Sequence, residues 1–293
     1  MAGFGMPTDI NNSGQIVGIT QDASNTAYAF MYSSGTYSNL GSLGGNINVS
    51  NLTATAINGS GQVTGESLFS GNAGGHAFIY TPGSGMADLG TVGGVDSEGL
   101  AINDSGQVAG VSQTSSGTYH AVVATAGGGM TDIGTLGGTS STAFGINNSG
   151  EVTGTSETLV GENNAFIYTP DLGMTDLGTL GGEESWGYGI NNSGQVTGYS
   201  ETLAGQVDAF IYTPGVGMAD LGTLYGLGSY GESINDLGQV VGEIASTGVG
   251  NYAMLDVDGV MYDLSWLHLA QLRIETIDPQ HSVKVEALGP LEA

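Results

Sequence analysis

Trp186-Gly-Tyr-Gly-Ile-Asn-Asn-Ser-Gly-Gln-Val-Thr-Gly-Tyr-Ser200 leads into Asp208-Ala-Phe-Ile-Tyr-Thr-Pro-Gly-Val-Gly-Met-Ala-Asp-Leu-Gly-Thr-Leu224, and together they form one copy of a unit that the chain repeats. Asn-Ser-Gly between two short β-prone runs predicts a hairpin, because Asn and Gly tolerate positive φ. This hairpin supplies strands a and b. Pro-Gly-x-Gly between the next two runs predicts a second turn, which joins strands c and d. No stretch of the unit carries helical periodicity over ten residues or more.

The phrase Ile-Asn-x-x-Gly-x-(Val/Ile)-x-Gly begins at Ile10, Ile57, Ile102, Ile146, Ile190 and Ile234, with steps of 47, 45, 44, 44 and 44 residues. Gly-Met-x-Asp-Leu-Gly-Thr-Leu-Gly-Gly, clearest at Gly173 to Gly182, alternates with it. A fixed period in this range means units that bury their apolar faces only by stacking on neighbours. Four short antiparallel strands per period predict an all-β propeller. Six blades would fill residues 1–264, and residues 265–293 would form a C-terminal segment. In that segment Ser265-Trp-Leu-His-Leu-Ala-Gln-Leu reads as a short helix. Ile277-Asp-Pro-Gln-His-Ser-Val-Lys-Val reads as a degenerate seventh a–b hairpin, beginning 43 residues after Ile234. The tail would close its own ring, pair with a neighbouring subunit, or make a seven-bladed ring with one partial blade.

Composition narrows the function. Asp and Glu total 28 against 2 basic residues, for a net charge of −26. Such a chain repels nucleic acid and anionic membrane surfaces, and it attracts cations and cationic surfaces. Cysteine is absent, which excludes disulfides and thiolate metal sites. No apolar run approaches the ~20 residues of a membrane-spanning helix, and no signal segment opens the chain.

These phrases resemble the HAF-type bacterial extracellular repeat family. The hallmark stands as His76-Ala-Phe78, and as Tyr28-Ala-Phe30, Asn164-Ala-Phe166 and Asp208-Ala-Phe210 in other repeats. Asp176 to Gly182 and Ile190 to Val196 carry the companion motifs, and the resemblance covers about residues 9–264. It implies a secreted or surface-located bacterial protein with a propeller-like fold, and it brings no catalytic residues with it.

Residues that recur at a constant place in the repeat read as scaffold; in the Asp series the first repeat carries Asn39. Asn11, Asn58, Asn103, Asn147, Asn191 and Asn235 would fix their own turns. Asp88, Asp132, Asp176, Asp220 and Asp263 would accept hydrogen bonds from their own turns rather than form an acidic ring. His76 and His120 sit at equivalent places and read as structural. Function is expected where the repeats disagree. The d–a and b–c connections differ between units and share one face of a propeller. They bring Trp186, Tyr188, Tyr199 and Tyr230 beside Glu183, Glu184, Glu157 and Glu201. Aromatic rings flanked by acids suit a sugar or a cationic partner. No nucleophile elbow, phosphate-binding loop or calcium-loop motif is present. The expected role is thus a non-catalytic binding or interaction module outside the cell, for an extracellular glycan or protein. The alternatives are a self-assembling structural protein whose tail pairs with the next copy, and a carbohydrate-active enzyme. No cofactor is expected; the carboxylates would suit only a divalent cation such as calcium.

Overall fold

The computed structural model describes residues 5–21, 27–44, 53–68, 74–248 and 250–266, together with the backbone of 272–278 and 282–287. Six four-stranded antiparallel sheets follow one another along the chain, each with its strands in sequence order. Blade 1 holds β1 (Met6–Ile10), β2 (Ile16–Gln21), β3 (Ala27–Ser33) and β4 (Thr36–Asn39). Blade 2 holds β5 (Ala56–Ile57), β6 (Val63–Leu68), β7 (Gly75–Thr81) and β8 (Gly85–Asp88). Blade 3 holds β9 (Gly93–Ile102), β10 (Gln107–Thr114), β11 (Tyr119–Thr125) and β12 (Gly129–Asp132). Blade 4 holds β13 (Gly137–Ile146), β14 (Val152–Thr158), β15 (Asn163–Thr169) and β16 (Gly173–Asp176). Blade 5 holds β17 (Gly181–Ile190), β18 (Val196–Thr202), β19 (Val207–Thr213) and β20 (Gly217–Gly222). Blade 6 holds β21 (Ser229–Ile234), β22 (Val240–Ile244), β23 (Tyr252–Val257) and β24 (Val260–Asp263). A 3-10 turn at Leu264–Trp266 follows, then a two-stranded sheet of β25 (Leu272–Asp278) and β26 (Ser282–Ala287). The rest of the helix expected after Ser265, residues 267–271, lies outside the described residues.

The chain divides into two compact units. The first is Met1–Glu162 with Phe166–Asp176, and the second is Asn163–Ala165 with Leu177–Ala293. In each unit the repeat motifs do the same mechanical work. Asn191 accepts hydrogen bonds at its Oδ1 from the backbone N–H groups of Ser193 and Gln195, both at 3.0 Å. Its Nδ2 donates to Gln195 Oε1 and also to the carbonyl of Asn235, one repeat on. Gly194 closes the turn at φ 72°, a conformation open to glycine at little cost. In the first unit, Asn11, Asn58 and Asn103 reach the carbonyls of Asn58, Asn103 and Asn147 in the same way. The recurring Asn thus fixes its own turn, as its placement between strands suggests, and also ties one blade to the next.

A second tie is a serine clip. The Ser185 hydroxyl donates to the Gly178 carbonyl at 2.6 Å and accepts the Ala165 N–H at 2.9 Å. Ser97, Ser141 and Ser229 repeat both bonds. All four serines are buried. Ser185→Ala removes the buried acceptor of the Ala165 N–H, so it should cost about 1–3 kcal/mol. Urea unfolding checks this, and an unchanged midpoint would show that the clip carries no weight.

Phe78, Phe166 and Phe210 fill the blade interiors completely. Each contributes roughly 1.5–3 kcal/mol by burial. The blade faces meet through small residues. In the second unit a side chain at Gly231 would run into the Thr197 hydroxyl, and in the first unit one at Gly99 would run into that of Thr64. Where the earlier blade offers Ala109 instead of Thr, the following strand can carry Ala143, and both lie in one core cluster.

Candidate functional site

The eight residues singled out from the sequence all lie on strands. Glu183, Glu184, Trp186 and Tyr188 belong to β17, Tyr199 and Glu201 to β18, Tyr230 to β21 and Glu157 to β14. Glu183 to Trp186, expected in a d–a connection, are strand residues because Gly181-Gly182 starts β17 rather than a turn. Gly181 already pairs with Thr202.

Four of the eight form one aromatic group in the second unit. Trp186 stacks on Tyr199 with ring centroids 4.8 Å apart. Tyr188 packs on the same ring at 5.7 Å, and Tyr230, from the next blade, meets it edge-on at 5.1 Å. The register explains the stack, since Trp186 lies directly opposite Tyr199. A bulge between Gly187 and Gly189 turns Tyr188 toward the same side. All four rings are half-buried. The Tyr199 phenol is driven well above its usual range, first by burial, then by Tyr188, Tyr230 and the charge of Glu184. It remains a neutral hydrogen-bonding group at physiological pH.

The acids divide. Glu184 sits beside the rings and accepts from Asn163 Nδ2 at 3.4 Å. Glu201 accepts the Glu183 N–H at 3.0 Å. Glu157, in the first unit, accepts from both the N–H and the hydroxyl of Thr139, which holds its carboxyl below the usual range. Gln113 binds the Val95 N–H at the matching place in blade 3. Glu157 and Glu201 therefore occupy a repeated strand-pinning position.

The recurring Asp residues cap turns. Asp88, Asp132, Asp220 and Asp263 each accept the N–H two residues on, at 2.7–2.8 Å. His76 and His120 pair through Nδ1 with Asp88 and Asp132 of the adjacent strand, at 2.9 and 2.8 Å. This pairing joins the His of His76-Ala-Phe and of His120-Ala-Val to the turn-capping Asp of the next strand. In blade 5 the histidine is replaced by Asp208, whose carboxyl is raised by burial and then by the charge of Asp220.

A second cluster lies in the first unit and is not evident from the connections. Glu66 on β6 is pushed up to about 7, first by burial and then by the charges of Asp96 and Glu98. Glu98 is also raised by burial, an effect offset in part by the Thr53 hydroxyl. Asp96 accepts from the Tyr119 hydroxyl at 3.1 Å and from the Gly75 N–H at 2.9 Å. The available signal is a charged residue within a strand where four of the other five repeats carry Ile19, Val111, Thr155 and Tyr199; blade 6 carries Glu243. Among the described residues no group of three or more His, Asp or Glu is arranged to hold a metal ion. Among them, too, no helix is long and apolar enough to cross a membrane.

Solved structures share this architecture. The β-propeller domain of the Trilobed protease from Pyrococcus furiosus, described as having an open velcro topology, superposes with a TM-score of 0.59 at 11% identity, covering 90% of this chain and 85% of that one. TolB from Acinetobacter baumannii gives 0.53 at 12% identity, covering 82% of this chain. A Mycobacterium tuberculosis puromycin-hydrolyzing peptidase gives 0.54 at 13%, covering 90%. This chain spans 60% of the TolB chain and 45% of the peptidase chain. No protein-family model and no curated protein sequence matches it. At these identities the likeness is one of fold, and the fold is an all-β propeller of six four-stranded blades.

Proposed function

We propose that this propeller is a non-catalytic interaction module of the HAF-type repeat family, located outside the cell, that binds a cationic segment of a partner protein. The observation that carries this reading is the aromatic group around Tyr199, formed by Trp186 and Tyr188 of blade 5 and Tyr230 of blade 6. Three rings converge on a fourth beside the Glu184 carboxylate, and residues 1–272 contain no Lys or Arg to neutralise it. A cation over an aromatic face gains about 0.5–2 kcal/mol, and a field from 28 acids raises its local concentration. A divalent cation such as calcium belongs to this reading only as a diffuse counterion to the acidic surface.

The test separates the rings from the bulk charge. Hexalysine binding is measured by calorimetry in 0.3 M NaCl, for the parent chain and for Trp186→Leu, which leaves the net charge unaltered. The leucine variant should bind roughly tenfold more weakly, about 1.4 kcal/mol. Equal binding would remove the aromatic group from the function. A glycan array run in parallel would redirect the reading to a sugar ligand if Trp186→Leu abolished a signal there.

A further inference from the structure

The outer face of blade 6 is open where the same face of every other blade is closed. Val17, Thr64, Ala109, Thr153 and Thr197 are all 0% exposed, whereas Val241 at the matching position is 43% exposed. Ala29, Ala77, Ala121, Ala165 and Ala209 are likewise buried, whereas Ala253 is exposed. Beside this apolar opening stand Glu243, which accepts from Asn251 Nδ2 at 2.7 Å, and Glu232, raised by burial and by Glu243.

The next hairpin in the chain has the geometry of a strand a–strand b pair. In blade 5, Ile190 pairs with Val196, Gly189 with Thr197, and Trp186 with Tyr199, with a bulge before Gly189. In β25–β26, Ile277 pairs with Val283, Thr276 with Lys284, and Arg273 with Glu286, with a bulge before Thr276. Blade 6 shows the same pattern, Tyr230 lying opposite Glu243. Arg273 therefore holds the register position of Trp186 and Tyr230, and Ile274 that of Gly187 and Gly231.

We propose that β25–β26 seats on the open face of blade 6 as the first half of a seventh blade, with Arg273 set against Glu243. One ring contact and one electrostatic influence already in the structure support this pairing. Tyr230 of blade 6 touches Tyr199 of blade 5, and Glu98 of blade 3 acts on Glu66 of blade 2. In both cases the Trp186-type position of the later blade meets the Tyr199-type position of the earlier one. Carried one blade on, the rule joins Arg273 to Glu243. Charge points the same way, because Arg273 and Lys284 are the only two basic residues of the chain and both fall on this hairpin. A second copy is a poorer occupant, since two chains of net charge −26 repel each other. Ile274 and Val241 stand at the register positions of Gly231 and Thr197, so the proposed seam would be more apolar than the Thr197–Gly231 contact.

The absence of native cysteine gives a clean test. Val241→Cys combined with Ile274→Cys should oxidise to an intramolecular disulfide, seen as a monomer that has lost two thiols. Disulfide-linked dimers would overturn the proposal in favour of a second copy, and two free thiols would overturn it outright. Arg273→Glu should lower Tm by roughly 2–4 °C, and adding Glu243→Arg should restore it. An unchanged Tm in Arg273→Glu, or no recovery in the double variant, would break the assigned pairing.

Discussion

Gly231→Val should remove about 3 kcal/mol of stability, because its side chain enters the space that the buried Thr197 hydroxyl already fills. That hydroxyl cannot swing aside without losing its 2.8 Å bond to the Phe210 carbonyl. The repeat itself suggests the rescue. Blade 3 presents Ala109 where blade 5 presents Thr197, and there the following strand carries Ala143 in the same cluster. Gly231→Ala alone should therefore destabilise, and Gly231→Ala with Thr197→Ala should recover part of the loss. A coupling of about 1 kcal/mol or more in the double-mutant cycle is expected. Urea unfolding monitored by circular dichroism measures it. Strict additivity would show that the two positions do not share a seam.

The second large effect concerns pH. Glu66 has a folded pKa of about 7, against an ordinary 4.5, so the folded chain holds this proton more tightly than the unfolded chain. Its contribution is most favourable below pH 4.5, declines as pH rises toward 7, and is fully unfavourable above that. The full shift corresponds to a little over 3 kcal/mol, and screening of a half-exposed group reduces this to about 1–2 kcal/mol. Glu66→Gln should raise Tm by roughly 2–4 °C at pH 8 and change little at pH 4.5. If the parent chain were the more stable of the two at pH 8, Glu66 would not be a strained carboxylate.

Much of the fold is legible in the sequence because its signals are local. Asn191 and Gly194 specify their turn within five residues, and the six copies multiply that signal. The Ile277 hairpin is recognisable for the same reason, despite the loss of its Asn-x-Gly. What meets across blades is not local. Nothing in one unit tells that Gly231 must stay bare for Thr197, or that the Asn191 amide reaches Asn235. The site is half legible. Trp186, Tyr188, Tyr199 and Tyr230 stand out as large rings in a sequence of small residues, and the structure does gather them. Glu157 and Glu201 stand out equally but pin strands, which only comparison with Gln113 reveals. Glu66 is hidden because it interrupts a strand rather than a connection, and its partners Asp96 and Glu98 come from the next blade.

The proposed recognition is concentrated on the aromatic group around Tyr199. Two-dimensional amide and indole NMR of the chain during a hexalysine titration tests this directly. The Trp186 indole N–H and the amides of Tyr199 and Tyr230 should shift together and saturate, while the amides around Asp88 and Asp132 stay in place. Small shifts spread evenly over the acidic positions of all six blades, with the Trp186 indole unmoved, would contradict it.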